Sequence, residues 1–211
     1  MKFEQLLSLV HDEPLFETGL LLAGVKDPND VRRQLSRWVS AGRVRQLRRG
    51  LYMLEQPYQK VAAHPFLIAN ALMPGSYVSG YSALAFYGLI PEYVARTTSV
   101  TTVRPEVWDG GYHFQRIAAS LFFGYQSVEL PRGQRAFIAT PEKALLDLAH
   151  FIPGSDSPAY LRELRLQNME RLDPGRLNGF AQRARKPKWL RVAKQIAALM
   201  ADESQHYEDL P

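Results

Sequence analysis

Apolar positions recur at helical spacing near the start of the chain and again near its end, and with a period of two in between. Phe3, Leu6, Leu7 and Val10 fall on one helical face, which predicts a first helix ending near His11 and the breaker Pro14. Phe16 to Val25 reads as a short second helix, opened by Glu17 or Thr18, with Leu20, Leu21 and Leu22 as its core and Gly24 at its end. A third helix carries the clearest start signal. Asp27 is placed to cap it, Pro28 occupies the first turn where a missing N–H has no consequence, and Asp30 faces the positive helix end. Val31, Leu35, Trp38 and Val39 then form a buried stripe, and Gly42 stops the helix where a left-handed residue is wanted. A hairpin follows: Val44 to Leu47, a turn at Arg48-Arg49-Gly50, and Leu51 to Leu54. This order of elements predicts a winged helix-turn-helix over residues 1–57.

Residues 58–211 are expected to form a second, mixed α/β domain, so the fold class is α+β with a small sheet and C-terminal helices. Pro65 to Leu72 reads as a helix stopped by Pro74-Gly75. Ser79 is placed to cap a short helix from Gly80 to Tyr87, with Leu84, Phe86 and Tyr87 as core. Strands are predicted at Thr97–Val103, Tyr112–Ile117, Leu121–Tyr125 and Gln134–Ala139, separated by Gly and Pro turns. Thr140-Pro141-Glu142 restarts helix, with Ala144, Leu145, Leu148 and Ala149 inward. Further helices are predicted over Ala159–Gln167, from a cap at Asp173-Pro174, and over Pro187–Met200 with Leu190, Ala193, Ala197 and Met200 inward.

Charge placement changes the picture more than charge total. The net charge is only +5, yet seven arginines fall between Val31 and Leu54 with no acidic residue among them. Arginine suits forked contacts to phosphate and to guanine edges. The candidate DNA-binding residues are therefore Arg32, Arg33, Ser36, Arg37, Arg43, Arg45, Arg48 and Arg49. Arg32, Arg33, Ser36 and Arg37 are expected to enter the major groove, with Arg48 and Arg49 at the wing tip on backbone or an adjacent minor groove. A second basic surface is expected from Arg183, Arg185, Lys186, Lys188, Arg191 and Lys194, read either as a further nucleic-acid or partner contact or as a solvated face balanced by Asp202, Glu203, Glu208 and Asp209. Cys is absent, which excludes disulfides and thiolate metal sites. No apolar run reaches the ~20 residues of a membrane span, so a soluble, cytoplasmic protein without membrane partners is expected.

Catalytic patterns are weak. The five histidines form no i,i+4 pair. Gly80-Tyr81-Ser82-Ala83-Leu84 begins like a nucleophile elbow but ends in Leu84, and a helix start explains it. Glu142 and Lys143 behind a strand have the order of a metal-dependent nuclease, yet the strand supplies no further carboxylate. No catalytic residue, metal or cofactor is assigned, and the expectation is a non-enzyme.

Three segments carry a family resemblance: LSRWVSAGRVRQLRRGLYML, SGYSALAFYGL and ATPEKALLDL, in that order. Together they resemble AbiEi, the antitoxin of AbiE-type (type IV) toxin–antitoxin systems of abortive infection. The resemblance implies a winged-helix DNA-binding domain that represses its own operon. A single winged helix buries limited surface, so two copies on an inverted repeat of double-stranded operator DNA are expected. It also implies an antitoxin domain that counteracts a nucleotidyltransferase-like toxin without a stable complex being required. The alternatives are a stand-alone winged-helix transcription regulator without a toxin, a metal-dependent nuclease using Glu142 and Lys143, or an interaction module whose winged helix binds protein.

Overall fold

The computed structural model describes residues 1–23, 27–105 and 110–208, with side chains in the last helix described to residue 202. It is mixed α+β and divides into two compact units. The first comprises Met1–Pro74 and Glu129–Arg135, the second Gly75–Val128 and Ala136–Pro211. The first unit thus takes in residues 58–74, which the sequence reading gave to the second domain.

In the first unit the order is α1 (Phe3–Val10), β1 (Phe16–Glu17), α2 (Thr18–Leu22), α3 (Pro28–Ser40), β2 (Val44–Arg48), β3 (Leu51–Leu54) and α4 (Pro65–Leu72). Phe3, Leu6 and Val10 from α1, Leu21 from α2, Val31, Leu35 and Trp38 from α3, and Val44, Tyr52 and Leu54 from the hairpin close on one core. Burying each such aliphatic or aromatic side chain contributes about 1.5–3 kcal/mol. Phe3 holds the centre, its ring 5.4 Å from Trp38 and 4.9 Å from Tyr58.

Two expectations change here. Phe16 and Glu17 are not helical: they form β1, antiparallel to β3 with Phe16 opposite Tyr52, the two rings stacked at 5.8 Å. The strand forms because Phe16 gains a cross-strand aromatic partner, an interaction that local helix propensity cannot anticipate. As a result α2 is only one turn, with Leu21 buried and Leu20 54% exposed rather than core. Gly24, expected as its stop, lies outside the described residues.

The second unit is built on a five-stranded sheet of β4 (Ser76–Val78), β5 (Thr97–Thr101), β6 (Tyr112–Arg116), β7 (Tyr125–Glu129) and β8 (Arg135–Ala139), ordered β6-β5-β4-β8-β7. The β7–β8 connection belongs to the first unit. β4 pairs antiparallel with β5 (Val78 opposite Ser99) and parallel with β8 (Val78 opposite Ile138), while β5 and β6 run parallel from Thr97/Tyr112 to Thr101/Arg116. β4 was not legible as a strand, being three residues between a Pro-Gly turn and a helix. The strand expected at Leu121–Tyr125 is displaced: residues 119–121 make a single 3-10 turn and the strand starts at Tyr125. Gly124 at φ +74° makes the bend between them, and a Cβ there would stand 2.9 Å from the Phe180 ring.

The helices are α5 (Gly80–Phe86), α6 (Pro141–Phe151), α7 (Pro158–Glu163), α8 (Pro174–Ala184) and α9 (Pro187–Glu208). Phe86 is 37% exposed rather than core. α7 stops short of the expected Gln167, because Arg165 and Asn168 turn into left-handed backbone. On α9 the inward stripe is Trp189, Val192, Ala193 and Ile196; Leu190 and Ala197 face out. The indole of Trp189 sets that face, one position from the stripe anchored on Leu190. None of the described helices is long and apolar enough to cross a membrane.

Candidate nucleic-acid interface

α3 begins as the sequence dictates. The Asp27 carboxylate accepts from the Asn29 N–H at 2.9 Å, Pro28 opens the first turn, and Val31, Leu35 and Trp38 are buried. Burying that stripe leaves Arg32, Arg33, Ser36 and Arg37 exposed on the outer side. The helix ends at Gly42 (φ +66°), and β2 returns against β3 with Val44 opposite Leu54 and Gln46 opposite Tyr52. β1 completes a three-stranded sheet in the order β1-β3-β2.

The seven arginines fall into two classes. Arg33, Arg45 and Arg48 have acidic partners drawn from outside the acid-free run. Arg33 lies 3.5 Å from Asp27 and 3.8 Å from Asp30, Arg45 pairs with Glu55, and Arg48 lies 3.5 Å from Glu17. Arg32, Arg37, Arg43 and Arg49 have no acidic partner among the described residues. Arg32 donates to the neutral Asn29 side chain at 3.1 Å, and Arg43 lies over the Phe3 ring at 5.0 Å, so both keep their charge uncompensated. Arg37, Arg49 and Ser36 are exposed to solvent.

Arg48 corrects the picture of a two-arginine wing tip. The β2–β3 register shifts between Gln46 and Arg48, leaving Leu47 as the extra residue of a bulge. Arg48 therefore belongs to β2, half-buried, and its Nε donates to the Ala71 carbonyl at 2.9 Å, tying the hairpin to α4. The turn itself is Arg49-Gly50, with Gly50 at φ +83°. Only Arg49 remains as a tip cation.

The second basic surface is thinned in the same way. Lys188 donates to the Ile152 carbonyl at 2.6 Å, capping the negative end of α6, and Arg191 pairs with Asp156 at 2.7 Å. Arg183 packs over Phe123 at 4.1 Å. Arg185, Lys186 and Lys194 remain exposed without an acidic partner among the described residues. The side chains of Glu203 and Glu208, and all of Asp209, lie outside the described part.

Glu142 and Lys143 are far from solvent and serve the fold. Nearly the whole of α6 is buried, not one face of it. Lys143 Nζ bonds Asp147 and donates to the Tyr77 hydroxyl at 2.7 Å; Tyr77 donates to Asp147 at 3.1 Å, and Ser79 donates to Asp147 at 2.7 Å. Ser79 thus spends its hydroxyl on Asp147 and makes no side-chain cap on α5, contrary to expectation. The rings of Tyr77 and Trp189 each lie 5.2 Å from the ammonium. Burial pulls the Lys143 pKa down, with the Asp147 carboxylate opposing it. Glu142 accepts from the Asp173 N–H at 2.9 Å and lies 3.6 Å from Arg176. No cluster of three or more His, Asp or Glu suited to a metal occurs among the described residues. The inward roles of Tyr77, Ser79 and Asp147 were not anticipated. The available signal was Lys143 and Asp147 at i,i+4, an oppositely charged pair one turn apart in an otherwise largely apolar helix.

No family model matches the chain, and no curated protein matches it. Among solved structures it is similar to the RV2827C protein from Mycobacterium tuberculosis, with a TM-score of 0.52 and 18% identity over 94% of this chain and 80% of that one. At that identity the likeness speaks to the fold, consistent with the α+β class, and to nothing else.

Proposed function

We propose that the first unit is a winged helix-turn-helix that binds double-stranded DNA, and that the protein is an antitoxin and autorepressor of a type IV toxin–antitoxin operon. The observation that carries this reading is the pair Ser36 and Arg37 on the outer face of α3, with Arg49 at the turn of the hairpin that follows, all exposed and without acidic partners among the described residues. α3 enters the major groove with Arg32, Ser36 and Arg37, the two guanidinium groups neutralising phosphates along its edges, while Arg49 meets phosphate at the hairpin turn. Arg33 and Arg45 reach DNA only by leaving their carboxylates, and exposed ion pairs of this kind are worth about 0.2–1 kcal/mol. Two copies bind an inverted repeat, and no cofactor takes part. The second unit supplies the antitoxic function against a nucleotidyltransferase-like toxin, a reading supported by the resemblance of its SGYSALAFYGL and ATPEKALLDL segments.

Two experiments test it. A gel shift of the full chain on DNA upstream of its own gene should give a complex that Arg37→Ala plus Arg49→Ala weakens about tenfold or more. An unchanged shift removes the interface. Co-expression with the adjacent open reading frame should rescue growth from that frame's toxicity; a neighbour that is not toxic leaves a stand-alone regulator.

A further inference from the structure

The second unit contains a pocket of about 580 Å³ that neither the DNA reading nor the resemblance uses. Its size falls within the range of small-molecule sites. α5 supplies Tyr81, the segment before β5 supplies Tyr93 and Arg96, and α7 supplies Tyr160 and Glu163, with Leu164 just after its end. Val94 and Ala95 add apolar lining.

The polar groups are few and differ in what they have left to offer. The Tyr81 and Tyr160 hydroxyls lie 2.7 Å apart. Such a pair consumes one of its two protons internally and keeps one O–H for a third partner. Burial, helped by the Tyr81 hydroxyl, raises the Tyr160 pKa, so the Tyr160 phenol keeps its proton. Arg96 is exposed, with no acidic partner among the described residues. Its backbone is fixed: the carbonyl accepts from the Ser82 hydroxyl at 3.0 Å, and Ser82 Oγ in turn accepts from the Thr98 N–H at 2.9 Å. Glu92 differs, being engaged by Arg165. Glu163 is exposed and has no cationic partner among the described residues, so the rim offers one unengaged cation and one unengaged carboxylate. Tyr93 is 92% exposed, a phenol ring held in water at the edge of an apolar recess.

We propose that this pocket binds a small aromatic anion, a planar ring with an anionic group at one end for Arg96 and a hydrogen-bond donor at the other for Glu163. The ring lies against the tyrosines, where stacking tolerates any flat π-system, and accepts the spare O–H of the Tyr81–Tyr160 pair. Two sources share this chemistry, a nucleoside monophosphate with an amino-bearing base and an aminobenzoate-like acid. The site lies wholly within the second unit, so its occupancy does not depend on the DNA reading being right.

Calorimetric titration of the full chain with CMP and with 4-aminobenzoate, beside inorganic phosphate and aniline, tests it. Saturable heat is expected for one of the first two, identifying the source, and none for phosphate or aniline. Arg96→Ala should weaken that binding about tenfold or more, the loss of a charge-assisted contact. Tyr160→Phe, which removes one hydroxyl of the pair, should weaken it severalfold. Circular dichroism of both variants should match the parent. Binding of neither aromatic anion, equal binding by phosphate alone, or Arg96→Ala binding as tightly as the parent would each overturn the proposal.

Discussion

Cations serve opposite ends in the two units. Along α3 and the hairpin every guanidinium group but that of Arg48 stands in water, with Arg33 and Arg45 lightly held by Asp27, Asp30 and Glu55. In α6 the Lys143 ammonium is fully buried, bonded to Asp147 and Tyr77 and faced by aromatic rings. An exposed charge keeps its hydration and can exchange it for a phosphate at little cost to the fold. A buried charge has lost that hydration, so its partners are obligatory. Runs of basic residues therefore do not identify an interface until their partners are known.

The sharpest way to break this comparison is in the buried set. Lys143→Ala or Asp147→Ala alone should destabilise the protein by about 3–5 kcal/mol, seen as a lowered urea midpoint, because the surviving partner is left uncompensated. Replacing both, Lys143→Met with Asp147→Leu, should recover much of that loss. A double variant as unstable as the singles would show that the pair contributes more than mutual neutralisation. In the exposed set, Arg37→Ala plus Arg49→Ala should leave the urea midpoint within the ±0.5 kcal/mol of ordinary surface changes. The same variant should lower DNA affinity about tenfold or more and flatten the log–log salt slope by about 1.8.

A smaller effect of opposite sign sharpens the division among the arginines. Glu55→Gln releases Arg45, so DNA affinity should rise by up to a few-fold and the salt slope should steepen by about 0.9. A weaker complex would mean that Glu55 orients Arg45 for DNA instead of competing with it. The smallest expected effect is on pH. His64 caps α4 by accepting the Phe66 N–H at Nδ1, 3.1 Å, which only the unprotonated ring can do, and burial holds its pKa below the ordinary 6.5. The unfolded chain then binds the proton first as pH falls. The cap's contribution is complete above pH 6.5 and is lost as pH drops through the lowered folded value. His64→Asn, an acceptor that does not titrate, should flatten that loss, which is within about 1 kcal/mol.

What the sequence made legible was local. α3 has its own cap, stripe and stop, and the hairpin has two short segments around a glycine turn, so both were visible, with the first strand one residue longer than expected. β1 was not, because Phe16 becomes a strand only by meeting Tyr52 across the sheet. β4 is too short to show a period. The basic run from Val31 to Leu54 was legible as charge but not as available charge, since Asp27, Asp30, Glu17 and Glu55 lie outside it. Arg48 turns inward through a bulge that no spacing announces. The tyrosine pair at the pocket joins residues 79 apart in the chain.

The central claim is that the four uncompensated arginines, Arg32, Arg37, Arg43 and Arg49, grip duplex DNA. It is tested most directly by the salt dependence of the full chain's affinity for the DNA upstream of its own gene. A log–log slope of about −3.6 per bound copy is expected, four phosphates at about 0.9 each, against about −6.3 if all seven arginines engaged. Affinity that does not fall with salt, or that is absent in dilute buffer, would contradict it.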